Sequence, residues 1–396
     1  MSYDKVVLRQ QSLKILTTII FMEFEIGGPV KKSFVDREKE IKLIKRGIDN
    51  NNYAIIGVRR TGKTSLILRV MDDLDEKLIP VYLDVSFVAP LNEINFLKTF
   101  MAEVMEAYSK RSGEKHIALK FHKFLEGSKE FLVDLLKSTH ISIRDTVEVW
   151  FKNEEEKNLT PLIKSAFELP EKLGKEKGVK FLVIFDEFTR LLELRDGEFI
   201  WALRSYIHRS ESTHYIISSS SVSAMRHILE GRESPFFGTL MKINLKGLSE
   251  SGFEELIGKL DKSLDEDAKE YLKRITGCYP LYLQAFCYLI ELDERERIEK
   301  RDVSELTEDV FRILTPHFEC FFNEIKGFKR DVLIKIAVKD LKTAEALAKE
   351  LDKPNNYINS YLRRLEEEGF IERKKIGIYD FADPFFKAWI KKNAIL

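Results

Sequence analysis

The chain has 396 residues, enough for two or three domains at roughly 100–200 residues each. Hydrophobic residues make up 44% and charged residues 33%, with 65 basic residues against 65 acidic, which excludes a disordered chain. The same balance excludes a globally basic nucleic-acid coat, so any nucleic-acid surface must be local.

Residues 1–26 read as a leader. The run Leu13 to Met22 is interrupted by Lys14, Thr17 and Thr18, too short and too polar for a span of about 20 apolar residues. No small-residue cleavage site follows it in Glu23-Phe24-Glu25, so a signal peptide is not expected and no membrane association is predicted. Phe34 to about Ile48 reads as a helix with Asp36 as its N-cap. Tyr53–Ile56 is a short apolar strand ending at Gly57, and Thr64 to Leu74 regains helical periodicity. Pro80–Val85 is a second strand. Residues 91–177 form a long, charged, mainly helical insertion with no obvious chemistry. Phe181–Phe185 is an apolar run of the kind a strand buried on both faces shows, and His214–Ser218 and Met241–Leu245 are two more strands. Five strands separated by helices predict an α/β fold with a mainly parallel sheet.

From Ser249 to about Glu324 only helical patterns occur, and residues 325–396 form a further compact unit. In it, a helix at Asp331–Asp340 precedes one capped by Thr343, with Ala344, Leu347, Ala348 and Leu351 on a single face. A third helix carries Ile358, Tyr361, Leu362 and Leu365 and ends at Gly369, after which Ile371–Phe381 reads as a hairpin. This is the order of a winged helix-turn-helix. The domain division is leader 1–26, a sheet-bearing domain 27–248, an all-helical domain 249–324 and a winged helix 325–396.

The chemistry sits first in Gly57-Val-Arg59-Arg60-Thr61-Gly62-Lys63-Thr64-Ser65, a glycine, four residues, then Gly-Lys-Thr, lying between a strand and a helix. The two glycines permit the backbone angles that turn loop N–H groups onto phosphates, and the following helix adds its positive end. Lys63 would reach the β- and γ-phosphates of ATP, and the Thr64 hydroxyl would bind Mg²⁺. The second element is the strand end Asp186-Glu187. Asp186 would complete the Mg²⁺ site, and Glu187 would act on the attacking water. A third is Ser218-Ser219-Ser220-Ser221, at a strand tip expected beside the acidic one. There, Ser219 or Ser220 is either a γ-phosphate sensor or a simple turn and helix cap.

These motifs together resemble the archaeal ATPase family within the STAND class of P-loop NTPases. The resemblance rests on the double arginine Arg59-Arg60, the segment Phe34-Val-Asp-Arg37-Glu38-Lys-Glu40, the acidic strand Val183–Phe188, and Gly277-Cys-Tyr-Pro280. It implies that Arg37 lies near the nucleotide base, and that the helical domain carrying Pro280 closes over ATP or ADP. Gly277 is followed by Cys278 where the family usually has a second glycine, and Thr239 follows Gly238 where an arginine is usual. The origin-recognition type of replication initiator has a related architecture and ranks lower, because Pro280-Leu-Tyr-Leu replaces its sensing arginine.

Two readings remain for the C-terminal unit. Residues 325–396 hold 16 Lys and Arg against 11 Asp and Glu, a net of +5. Arg373, Lys374 and Lys375 on the wing could meet phosphates of double-stranded DNA, and Asn356, Asn359 and Ser360 could reach base edges. The rival reading makes it a docking module for a protein partner. The expected function is a Mg-dependent ATPase switch, against a nucleotide-holding scaffold with negligible turnover and an origin-recognition-type DNA loader. Three scattered cysteines (Cys278, Cys287, Cys320) build neither a disulfide scaffold nor a zinc site and fit a reducing, cytoplasmic setting. Lys and Glu dominate the polar residues and Gln occurs only at 10, 11 and 284, the bias of proteins from very hot environments.

Overall fold

A computed structural model describes residues 24–113, 142–154 and 159–393. The chain gathers into two compact units. One holds Glu38–Gly57 and Ile67–Asn244. The other holds the described residues up to Arg37, Val58–Leu66 and everything described from Leu245 onward.

The first of these is built on a five-stranded sheet. Its strands are β1 (Asn52–Ile56), β2 (Leu78–Asp84), β3 (Lys180–Asp186), β4 (Thr213–Ser219) and β5 (Leu240–Asn244), in the order β2-β3-β4-β1-β5. Every pairing is parallel, as the alternation of strands and helices predicts. β3 and β4 are buried along nearly their whole length, which is why they read as unbroken apolar runs rather than alternating ones. Helix α1 (Glu38–Gly47) precedes β1, and α2 (Lys63–Asp72) follows it after the phosphate loop.

The insertion supplies α3 (Glu93–Ser112), α4 (Ile143–Glu154) and α5 (Leu159–Lys177), so its described parts are helical. They are not idle surface. Phe96 and Phe100 of α3 and Phe167 of α5 close on Phe185 of β3, with ring centroids 5.6, 5.3 and 6.3 Å from it. Each such ring, fully withdrawn from water, contributes roughly 1.5–3 kcal/mol. The strand that carries the acidic pair is therefore clamped from behind by this insertion. Two further helices complete the crossovers, α6 (Glu198–Arg209) between β3 and β4 and α7 (Val222–Leu229) between β4 and β5.

The second unit has a separate apolar core. It contains α8 (Glu250–Ile257), α9 (Glu266–Thr276), α10 (Pro280–Leu292) and the 25-residue α11 (Lys300–Glu324). Two short parallel strands, β6 (Ser263–Leu264) and β7 (Arg297–Ile298), interrupt a stretch that reads as purely helical in sequence. Two-residue strands leave no periodic signature. Helices α12 (Phe328–Lys339), α13 (Ala344–Leu351) and α14 (Asn355–Glu367) follow, then the antiparallel hairpin β8 (Ile371–Lys375) and β9 (Ile378–Phe381). Thr343 caps α13 as expected, its hydroxyl accepting from the Ala346 N–H. A final helix, α15 (Pro384–Asn393), buries Phe385, Phe386, Trp389 and Ile390 and was not apparent from the sequence pattern.

One local expectation fails. Helix α1 starts at Glu38, not Phe34, and Asp36 does not cap it. Asp36 and Arg37 adopt positive φ (62° and 76°). The Asp36 carboxylate instead accepts from the backbone N–H and hydroxyl of Ser249, which precedes α8. Burial alone would raise the Asp36 carboxyl, but bonds from Ser249 and the Arg37 backbone outweigh it and hold it below the usual carboxylate value. Gly252 makes this approach possible, because a Cβ there would lie 2.5 Å from the Asp36 Cβ. The bulk of the expected leader, residues 1–23, lies outside the described residues, while Phe24 is buried in this second core.

Candidate functional site

The phosphate loop opens α2. The Gly62 carbonyl accepts the first helical bond, from the Leu66 N–H at 2.9 Å, so the helix N-terminus begins inside the Gly-Lys-Thr motif. Gly62 has φ +84°, and an added Cβ would sit 3.7 Å from the Pro280 ring. Lys63 is buried, and its ammonium donates to the Val58 carbonyl at 3.3 Å; the Thr61 hydroxyl donates to the same carbonyl at 2.8 Å. Ser65 accepts from the Val30 N–H at 3.0 Å, fastening the N-terminal segment to the first turn.

Beside the loop lies a cleft of about 340 Å³, counted with its open mouth. Its apolar walls include Val30, Phe34, Val35, Leu248 and Pro280, and its polar groups include Arg37, Ser65 and Gln284. Arg37 is buried and donates to the carbonyls of Thr61 (3.2 Å) and Lys246 (2.6 Å). Gln284, also buried, takes the Ser33 hydroxyl at 2.9 Å and the Glu25 N–H at 3.3 Å. The expected residues Arg37, Thr61, Gly62, Ser65 and Pro280 are thus brought together. Gln284 was missed, since one glutamine in an apolar helix reads as ordinary packing.

The two loop arginines behave differently. Arg59 is half-exposed, 3.5 Å from the Glu324 carboxylate and over the Phe321 ring. Arg60 is buried, with φ +77°, and its guanidinium donates to Asp383 at 2.8 Å and to the Tyr282 hydroxyl at 2.6 Å. Neither Tyr282 nor Asp383 stands out in sequence as a partner of the loop.

In the other unit, the carboxyl ends of β2, β3 and β4 form the acidic tip. Asp84 is in register with Asp186, and Phe185 with Ile217, so the ends of the three strands lie side by side. Asp186 is buried; one carboxylate oxygen accepts from the Ser218 hydroxyl at 2.7 Å and the Glu187 N–H at 3.0 Å, the other from the Tyr82 hydroxyl at 3.1 Å. Burial, and then the charges of Asp186, Asp84 and Glu187, push the Tyr82 hydroxyl well above its ordinary value, so it remains a neutral donor.

Glu187 leaves the strand at φ +50°. One of its carboxylate oxygens accepts from the Ser220 hydroxyl (3.0 Å), the Ser220 N–H (3.3 Å) and the Ser219 hydroxyl (3.3 Å). Ser219 is also 2.6 Å from the Thr189 hydroxyl. The serine tip does lie beside the acidic one, and it holds both carboxylates, Ser218 that of Asp186 and Ser219 with Ser220 that of Glu187. Tyr82 and Thr189 were not anticipated, and Ser218 was expected only as part of the serine tip. A two-residue offset along paired parallel strands is the signal that points to Tyr82, once the strand order is known. Among the described residues, no group of three or more His, Cys, Asp or Glu is arranged to hold a metal.

On α14, Asn356, Asn359 and Ser360 are exposed, while Ile358, Leu362 and Leu365 are buried. On the hairpin, Arg373, Lys374 and Lys375 are exposed, and Ile376 at the turn is 93% exposed. No helix among the described residues is long and apolar enough to cross a membrane.

A family model described as an ATPase domain predominantly from Archaea matches residues 34–286. The fold is similar to that of the Walker-type ATPase PABY2304 of Pyrococcus abyssi, with a TM-score of 0.67 at 18% identity over 93% of this chain and 100% of that one. It is also similar to the ORC2 protein of Aeropyrum pernix, solved as ADPNP–ADP complexes, with a TM-score of 0.57 at 12% identity over 94% and 95% of the two chains. No curated protein matches the sequence.

Proposed function

The chain belongs to the family of ATPase domains found predominantly in Archaea, and from that premise we propose that it is a Mg-dependent ATP switch of the STAND class whose nucleotide state sets the action of a C-terminal winged helix on double-stranded DNA. Family membership makes it an ATP-hydrolysing enzyme. The observation that carries the mechanism is the acidic tip, where Asp186 and Glu187 are held by separate sets of hydroxyl and N–H donors and so can do separate work.

In this reading the loop N–H groups and Lys63 bind the β- and γ-phosphates. The cleft walled by Val30, Val35, Leu248 and Pro280 takes the apolar faces of the base, with Arg37 and Gln284 fixing its walls. The hydroxyl of Thr64 and the carboxylate of Asp186 would each offer Mg²⁺ a hard oxygen donor, of the kind that ion takes alongside substrate phosphates. When bound, that ion supplies neutralisation of phosphate charge. Glu187 orients the attacking water and takes its proton. Its serine donors keep the carboxylate pointed along one direction while leaving its second oxygen for the water.

For the C-terminal region, α12, α13, α14 and the β8–β9 hairpin have the order of a winged helix. The exposed Asn356, Asn359 and Ser360 would meet base edges, and Arg373, Lys374 and Lys375 would meet phosphates. The test is turnover of ATP with and without Mg²⁺ and duplex DNA, coupled to a salt titration of duplex binding. Changing Arg373, Lys374 and Lys375 together to Ala should flatten the dependence of log K on log salt by about 0.9 for each phosphate that the protein no longer neutralises. Native binding that is absent at low salt, with and without ATP, would assign the region to a protein partner instead.

A further inference from the structure

Arg60 belongs to the phosphate loop, yet its side chain is committed to the far end of the chain. Its guanidinium lies 4.7 Å from the Phe318 ring centre and 5.3 Å from that of Phe321, both on α11. It donates to the Asp383 carboxylate, 323 residues away, and the Tyr282 hydroxyl of α10 donates to the same carboxylate oxygen. Side-chain exposure is 8% for Arg60 and 14% for Asp383, so this is a desolvated ion pair rather than a surface one. Burial alone would lower the Arg60 guanidinium, but Tyr282 and Asp383 overcome that and raise it above its usual value.

Asp383 has a second task with its other oxygen. That oxygen accepts from the Phe386 N–H at 2.9 Å, capping the first turn of α15. The neighbouring Ala382 carbonyl accepts from the Tyr279 hydroxyl at 3.2 Å, and the Pro384 ring lies where a Cβ on Gly277 would be only 2.9 Å away. One short turn before α15 therefore touches the segment Gly277–Pro280, caps the last helix and holds the loop arginine.

We propose that Asp383 is a positioning residue for ATP binding: through Arg60 it fixes the backbone of the phosphate loop, so that the affinity of the loop for ATP depends on how the C-terminal helix is seated. Arg60 sits two residues before Gly62 and three before Lys63, in a backbone region that non-glycine residues avoid unless their surroundings enforce it. The surroundings that enforce it are the Asp383 carboxylate, the Tyr282 hydroxyl and the aromatic walls. Without them Arg60 relaxes toward negative φ, and the loop N–H groups that should converge on phosphate are no longer held in advance. The coupling is reciprocal by linkage: bound ATP must favour the seated position of α15 by the same factor.

The inference rests on the loop being the ATP site, and the experiment separates the two. ATP affinity is measured by calorimetry on the full chain, at a temperature well below its unfolding midpoint, for the native protein, Asp383→Asn, Arg60→Met and the double variant. Asparagine still caps α15, so Asp383→Asn removes the charge and leaves the cap. Each single variant should bind ATP about tenfold more weakly, the ordinary scale of coupling between sites. The double variant should be no worse than either one, because both remove the same link. It also removes both buried charges together, so it gives a folded protein even where a single variant leaves one charge stranded. In turnover of Asp383→Asn, KM should rise while kcat at saturating ATP stays near native, and Asp383→Glu should recover part of the affinity. Native affinity in the double variant, or losses that multiply between the two positions, overturns the proposal. A native chain that binds no ATP overturns the site assignment itself.

Discussion

The phosphate loop and the acidic strand tip are held in place by different means. At the tip, Asp186 and Glu187 take their donors from Tyr82, Ser218, Ser219 and Ser220, all at the ends of strands paired in fixed register with β3 or one another. Backbone ladders set that geometry, and side chains only finish it. At the loop, the partners are side chains and carbonyls from distant connecting segments, as in the bonds from Arg37 to Lys246 and from Arg60 to Asp383. A geometry fixed by a ladder is hard to change by any single substitution, whereas one fixed by a few side chains can be adjusted from far away. The tip is suited to constant chemistry, and the loop to regulation.

The sharpest way to test that division is to remove one chemical group from each region. Lys63→Ala takes the charge from the loop and should abolish detectable ATP binding. Glu187→Gln keeps the shape of the tip but removes the proposed base, so ATP binding should persist while single-turnover hydrolysis falls by about 10²–10⁴-fold. Binding and turnover measured on both variants check this. If Glu187→Gln hydrolyses at the native rate, the tip does not contain the base.

A smaller effect should follow from crowding the loop region at a point outside the cleft lining. Gly252→Ala would place a Cβ 2.5 Å from the Cβ of Asp36 and 2.7 Å from its carboxyl carbon, forcing the turn before Arg37 out of position. Overpacking of this kind costs roughly 1–3 kcal/mol. The denaturant midpoint should fall and ATP affinity should weaken with it, while Gly28→Ala, whose added Cβ meets nothing within 4 Å, should do neither. If ATP affinity does not change in Gly252→Ala, the Asp36–Ser249 contact has no bearing on the cleft.

The difference between the regions also decides what could be read from sequence. The five strands, the loop motif and the acidic pair were all legible, because burial on two faces writes an apolar run and the phosphate loop demands glycines at set positions. The adjacency of the serine tip and Asp186 followed from parallel pairing alone. Asp36 was misread as a helix cap: Asp before a helical run is a common start signal, and nothing local shows that Ser249 competes for it. Arg60 read as part of the phosphate loop, and its pairing with Asp383 could not be seen, since a bond across 323 residues has no periodicity. The Asp-Pro step before α15 was itself a start signal that the hydrophobic pattern of the last residues should have completed.

The smallest effect expected is at the tip, from a single hydroxyl. Ser220 offers Glu187 two donors, its hydroxyl at 3.0 Å and its backbone N–H at 3.3 Å, and Ser219 offers a third at 3.3 Å. Ser220→Ala removes only the first. A net hydrogen bond of this kind contributes about 0.5–1.5 kcal/mol, more when the acceptor is charged, so kcat should fall by roughly two- to tenfold. KM for ATP should not move and the unfolding midpoint should fall only slightly, because the Ser219 hydroxyl and the Ser220 N–H still hold Glu187. A fall in kcat means the serine orients the base for attack. A rise means that it restrains the base, and the tip would then have a regulatory contact of its own, removing the contrast with the loop.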